Sequence, residues 1–134
     1  MRFLLAVLLA SGLLAQTDKL QANYDAAQAE WEKDPKNIDK LIWVGRRLGY
    51  LGKFDEAIAI YTKGIALAPQ DARLYRHRGH RYISSRRFGL AIQDFTKAAQ
   101  LQKGQPDQIE PDGQPNKLNQ PLSTLQFNIY YHLG

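Results

Sequence analysis

The same arrangement of residues occurs twice between residues 38 and 103, at an offset of 34. Gly45 is matched by Gly79, Leu48 by Tyr82, Phe54 by Phe88, Ala57 by Ala91, Ile58 by Ile92, Tyr61 by Phe95, and Gly64 by Ala98. Small residues and aromatics recurring in register at this period mark a helix-turn-helix unit that stacks on copies of itself, because one unit alone cannot bury its apolar face. The chain has 134 residues, room for one domain, and 44% of them are hydrophobic, enough for a core once the helices stack.

Local signals place the helices. Asn37 is a good N-cap for a helix over residues 38–50, in which Leu41, Val44 and Leu48 form the buried stripe. Gly49 and Gly52 open a turn, a second helix over 54–67 carries Ile58, Tyr61 and Ile65 on one face, and Ala68-Pro69 stops it. Asp71 caps the next helix, over 72–84, whose partner runs over 87–101. Upstream, Leu20, Tyr24, Ala27 and Trp31 share one face of a helix between Asp18 and Asp34, with Asp18 and Gln21 as its capping box. Pro35 stops that helix 34 residues before Pro69, so residues 16–36 read as a degenerate second helix capping the stack at its N-terminal end.

The first copy reads Leu41-x2-Val44-Gly45-x2-Leu48, then Ala57-x3-Tyr61, then Pro69; the second reads Tyr75-x2-Arg78-Gly79-x2-Tyr82, then Ala91-x3-Phe95. Both resemble the tetratricopeptide repeat, whose pattern is Trp-x2-Leu-Gly-x2-Tyr, then Ala-x3-Phe, then Pro. The departures are Arg78 at an apolar position, expected to disturb packing, and Lys103 at the closing proline, which weakens the stop. The resemblance covers about half the chain and implies an all-α, right-handed superhelical stack of antiparallel helix hairpins. Its repeats fall at 37–71 and 72–104. Gly45, Ala57, Tyr61, Gly79, Tyr82, Ala91, Phe95 and Ala98 are its packing residues, the small ones letting backbones approach where helices cross.

From residue 105 to 122 the pattern breaks among Pro106, Pro111, Pro115 and Pro121, which forbid a continuous helix. This is a long insertion, and its acids Asp107, Glu110 and Asp112 have the sign to lie against the preceding arginine-rich helix and shield it. Ser123 with Gln126 then forms a capping box, and Tyr130-x2-Leu133-Gly134 repeats the opening of the first copy. Residues 123–134 are therefore expected to begin a third repeat that breaks off inside its first helix. At the other end, Met1 and Arg2 precede an apolar run that reaches Ala15 without a polar face and is too short to span a bilayer. That reads as a secretory signal over residues 1–15, cleaved after Ala15, rather than a core helix or an anchor, and implies a periplasmic or secreted protein.

No residue set reads as an active site, so the sequence predicts a protein that is not an enzyme and needs no cofactor. The absence of cysteine excludes disulfides, thiol nucleophiles and c-type haem attachment. Asp55 and Glu56 suit a helix start, where the dipole favours negative charge, better than an acid pair for catalysis. His77 and His80 share a helical face, but nothing completes a metal-ligand set and the arginines beside them repel a dication. They read as surface histidines on a basic helix. The concentrated signal is basic: between residues 72 and 93 stand Arg73, Arg76, Arg78, Arg81, Arg86 and Arg87 with no acid, in a chain of formal charge +5. A charge run is commonly a solvated face. In tetratricopeptide proteins the first helices of successive repeats line a concave groove, and the resemblance implies that Ile42, Arg46, Arg73, Arg76 and His80 face it. The reading is a scaffold that holds an acidic peptide segment or a partner protein through a basic groove. Nucleic-acid binding by arginines interleaved with Tyr75, Tyr82 and Phe88 is the second reading, disfavoured by export. The third is the N-terminal part of a longer enzyme or assembly protein.

Overall fold

The computed structural model describes the backbone of residues 2–111 and 123–134, with side chains from residue 12 onward. Six helices follow in order: α1 (Arg2–Glu32), α2 (Ile38–Tyr50), α3 (Phe54–Leu67), α4 (Ala72–Ser84), α5 (Phe88–Gln102) and α6 (Leu125–Leu133). Each packs on its neighbour in the chain, and α2 also touches α4 as α4 touches α6, whereas α3 and α5 make no such contact among the described residues. The stack therefore bends toward α2, α4 and α6, which form its inner, concave row.

Capping follows the sequence at two helices. Asn37 accepts from the Lys40 amide at 3.1 Å and Asp71 from the Arg73 amide at 3.0 Å, each satisfying a donor that the first turn leaves unpaired. At α6 the cap is Thr124, which accepts from Phe127 at 3.2 Å, and not Ser123, whose hydroxyl is taken by the Asn128 amide at 2.9 Å. The Asp18–Gln21 capping box is not formed either. Helix α1 runs straight through Asp18, and the Gln21 side chain donates to Asp25 instead. Residues 12–19 of α1 are exposed; burial begins at Leu20, and Tyr24, Ala27 and Trp31 join the core beside α2. Among the described residues no helix is long and apolar enough to cross a membrane.

The hairpins close on glycines. A Cβ on Gly45 would lie 2.4 Å from the Tyr61 ring, and one on Gly79 would lie 3.0 Å from the Phe95 ring, so each inner helix brings its backbone against an aromatic of its partner. Gly49 does not open a turn: it is a buried residue of α2, and a Cβ there would meet the Arg81 guanidinium at 2.2 Å. The turn is made by Gly52 at φ 74°, and its counterpart 34 residues on, Arg86, takes φ 60°. Arg78 does not disturb the core. Its Nε and Nη2 donate to the two carboxylate oxygens of buried Asp94 at 2.7 and 2.8 Å, and Nη1 donates to Thr62 at 3.0 Å, tying α4 to α5 and α3.

Helix α6 takes the seat on α5 that α4 takes on α3. His77 stacks on Tyr61 with centroids 5.6 Å apart, and His132 stacks on Phe95 at 5.0 Å. Leu74 packs by Gly64, and Leu125 and Ile129 pack by Ala98. These contacts lie over the C-terminal half of α5. Its N-terminal half stays open, which is why Ile92 is 58% exposed while its counterpart Ile58 is 9% exposed.

The glycine contacts rank three substitutions. Gly45→Ala should destabilise the fold by about 1–3 kcal/mol, because the rigid Tyr61 ring is fully buried and has little room to retreat. Gly79→Ala should cost less. Gly89→Ala, with nothing within 4 Å of the new methyl, should gain up to about 1 kcal/mol from helix propensity. Urea denaturation of the three variants measures this, and equal stability of Gly45→Ala and Gly89→Ala would contradict it.

Candidate partner-binding groove

Two hollows open on the concave side. The first, of about 340 Å³, is bounded by Ile42, Trp43, Arg46 and Arg73 from the inner helices and by Ile109 and Glu110 from the segment after α5. The second, of about 130 Å³, lies between α2 and α4 and is lined by Arg46, Tyr50, Tyr61, Arg76, His80 and Arg81. A wider hollow of about 820 Å³ lies near the start of α4, against Asp39, Asp71, Gln105 and Asp107, where charges of both signs mix. The five residues assigned to the groove from sequence fall along the first two, with Arg46 shared between them. They differ in what they offer a ligand. Ile42 is buried and contributes an apolar floor. Arg73 is held by Asp71, through Nη2 at 2.7 Å, and by Asp39, through Nη1 at 2.7 Å. Arg76 donates to Glu110 at 2.5 Å, and Arg46 donates to the Pro111 carbonyl at 2.6 Å and to Tyr50 at 3.4 Å. His80 turns toward the Arg81 guanidinium, 2.5 Å from Nδ1, and meets His132 edge-on.

The arginine-rich stretch is thus largely compensated by acids that lie outside it. Asp39 and Asp71 serve Arg73, Glu110 serves Arg76, Asp94 serves Arg78, and Asp55 accepts from Arg87 at 2.6 Å. The positive charge that remains concentrated is that of Arg46 and Arg81 around the smaller hollow, beside Arg76, which Glu110 answers. Of the insertion's acids, Glu110 does lie against the arginine helix; Asp107 instead accepts from the Gln126 amide at 3.0 Å beside the start of α6, and Asp112 lies outside the described residues.

Burial works against both charges of the Arg76–Glu110 pair. It pushes the Glu110 carboxyl above its ordinary range, against the pull of Arg76, Asn128 and Arg46, and it pulls the Arg76 guanidinium down. Both histidines are more enclosed than a surface reading allows. His77 is buried, stacked on Tyr61, with its Nδ1 3.2 Å from Arg76, and burial together with Arg76, Arg46 and Arg81 holds its pKa well below 6.5. Burial, then Arg81, Arg76 and His132, lowers His80 to about 3. The two rings face different neighbours, and among the described residues no group of three His, Cys, Asp or Glu side chains is placed to hold a metal.

No family model matches the chain. Tetratricopeptide repeat protein 13 of Homo sapiens is 46% identical over 59 residues, covering 44% of this chain and 7% of that protein. Its agreement with the stacked hairpins decides the fold's type. The chain carries tetratricopeptide repeats. Hsc70-interacting protein 1 of Drosophila melanogaster is 41% identical over 49 residues, 37% of this chain and 13% of its own length. A MamA structure superposes with TM-score 0.59 at 28% identity, covering 66% of this chain and 53% of that one. The Yersinia enterocolitica type III secretion translocator chaperone SycD does so with TM-score 0.62 at 20% identity, covering 69% and 70%. The chain spans less than a sixth of the length of these curated relatives.

Within the tetratricopeptide frame, the repeat pattern did not reveal Arg81, Tyr50, Glu110 or Asn128. Arg81 had a usable signal: Gly49 is a second glycine on the inner helix of the first repeat, and its missing side chain is the space the guanidinium fills. Glu110 had only its sign, as one of the insertion's acids, and Asn128 had none, since it bonds Glu110 and reaches this site only through the path of the insertion.

The histidines make stability sensitive to acid. An unfolded histidine binds a proton as pH falls through about 6.5, whereas folded His80 stays neutral until about 3 and His77 also resists protonation. Stability should therefore be flat above about 6.5 and fall steadily as pH drops toward 3. His80→Gln should lose less stability than the wild type between pH 7.5 and pH 4.5, as measured by urea denaturation at the two values. Identical losses would show that His80 titrates normally in the fold.

Proposed function

We propose that this chain is a non-catalytic protein-binding scaffold that works after export, taking an acidic, extended or C-terminal segment of a partner on its concave side. The observation that carries the reading is the convergence of Arg46, Arg76 and Arg81 on one hollow of the inner row, with Glu110 as the nearby carboxylate. A guanidinium can hold a carboxylate with two parallel hydrogen bonds, which suits this task better than a point charge would. The match to a protein named for its interaction with Hsc70 adds support for a protein partner. Nucleic acid is the weaker reading, because Arg73, Arg78 and Arg87 already face carboxylates.

Arg46 is the arginine to test, since it sits at both hollows and its described partners are a carbonyl, a phenol and the Trp43 ring, none of them a carboxylate. Titration of a fluorescent, glutamate-rich ten-residue peptide should show Arg46→Ala weakening binding about tenfold, the scale of an interface arginine. Arg86→Ala, at the turn between α4 and α5, should change it less than twofold, with both affinities falling as salt is raised. Equal losses would leave a diffuse basic surface, and binding of a single-stranded oligonucleotide in place of the peptide would favour the nucleic-acid reading.

Export is read from the Met1-Arg2 start and the apolar run to Ala15, and the exposure of Leu13 and Leu14 away from the stack supports it. Intact-mass measurement on protein recovered from an exporting host should give a species beginning at Gln16. A mature protein that retains Met1 would mean that the segment is an anchor or part of the fold.

A further inference from the structure

Residues 105–111 leave α5 and run back over the concave side as an extended strap. Ile109 bridges to Thr124 in antiparallel fashion, the Glu110 amide donates to the Ser123 carbonyl at 3.1 Å, and the Leu125 amide donates to Gln108 at 2.8 Å. Ile109 and Pro111 face solvent, while Glu110 between them turns inward and is 8% exposed. Its Oε2 accepts from Arg76 of α4 and from Asn128 of α6, each at 2.5 Å, and the next carbonyl, of Pro111, accepts from Arg46 of α2. One carboxylate and one carbonyl, adjacent in sequence, thus engage all three inner helices, as a short acidic peptide lying in the groove would.

We propose that Glu110 and Pro111 are a built-in occupant of the groove, standing where an acidic side chain and the following backbone carbonyl of a partner sit when the partner displaces them. This rests on the reading of the concave side as the partner site. The occupant fits incompletely: Glu110 Oε1 and Arg76 Nε are both buried without a hydrogen-bond partner among the described residues, and Nε2 of the neutral His77 ring lies 3.8 Å from Oε1, beyond hydrogen-bond reach. A carboxylate set fork-to-fork on Arg76 would take the Nε donor with its second oxygen, so a partner free of the strap's tether gains a contact that Glu110 forgoes. The tether acts the other way. A segment on a short loop competes at an effective concentration on the order of millimolar, and a groove that is open only a fraction of the time shows an affinity reduced by that fraction.

The test adds the strap's own sequence in trans. A labelled peptide matching residues 105–112 is titrated by fluorescence anisotropy against the full chain, against Glu110→Gln, which keeps the shape and removes the charge, and against Glu110→Lys, which repels Arg76 and Arg46. Circular dichroism confirms that each is folded, and Glu110→Gln carries the test if Glu110→Lys does not fold. The peptide should bind Glu110→Gln several-fold and Glu110→Lys at least tenfold more tightly than the wild type. A peptide with Gln in place of its Glu should not bind. In the wild type, saturating peptide should also speed hydrogen exchange of the Glu110 amide. Equal affinity for all three proteins would overturn the occupant while leaving the partner site standing. Failure of the strap peptide to bind any of them, with the glutamate-rich peptide still bound through Arg46, would overturn it too. Loss of the Arg46 effect as well would remove the partner-site reading itself.

Discussion

Tyr61 lies so close to Gly45 that no β-carbon fits between ring and backbone, Phe95 lies close enough to Gly79 that one would press on its ring, and this close approach sets the spacing of both hairpins. Each ring also carries the stack onward, since Tyr61 receives His77 of the following inner helix and Phe95 receives His132. Each aromatic is keyed to its own hairpin by a glycine and to the next by an imidazole. That column also fixes the floor of the concave side. His77 can stack in a buried position because it is neutral, so Glu110 answers the charge of Arg76 without a competing imidazolium beside it.

The arginines show how a solenoid redistributes charge. A run of six with no acid reads in one dimension as a bare cationic face, but stacking brings residues one repeat apart in sequence next to one another. Arg73 meets Asp39 at a separation of 34, and Arg87 meets Asp55 at 32. What survives is a small excess between α2 and α4, where the surrounding side chains exclude much of the water and charge is felt more strongly than on an open surface.

The boundaries of α2, α3 and α4 were legible to the residue, because each has a capping or stopping signal at the expected phase and a clear apolar stripe. Burial was less legible than periodicity: Ile58 and Ile92 are equivalent in register, and only the first is covered. The strained turn at Arg86 gave no sign, since its counterpart Gly52 hid the backbone requirement behind a permissive residue. Arg78 looked like a fault in the pattern because its partner Asp94 lies on the following helix, 16 residues away. Of the concave surface, the repeat register singled out five residues that line the two hollows. It did not show that Arg73 and Arg76 are already engaged: Asp71, read only as a cap, also holds the Arg73 side chain with Asp39 of the preceding inner helix, and the insertion's acids could be matched to the arginine helix by sign but not to Arg76 by position.

The connection from α3 to α4 is 4 residues long, and that from α5 to α6 is 22, yet α6 reaches an equivalent seat, with His132 on its ring 55 residues after His77 where the repeat would place it at 34. Closing the longer loop costs only about 1.5 kcal/mol more, since the entropy of closure grows with the logarithm of length. Position in the stack is therefore specified by side-chain seats and not by counting residues. A junction of this kind can lengthen by insertion without altering the pitch of the solenoid, and whatever sequence it gains is delivered directly to the concave face.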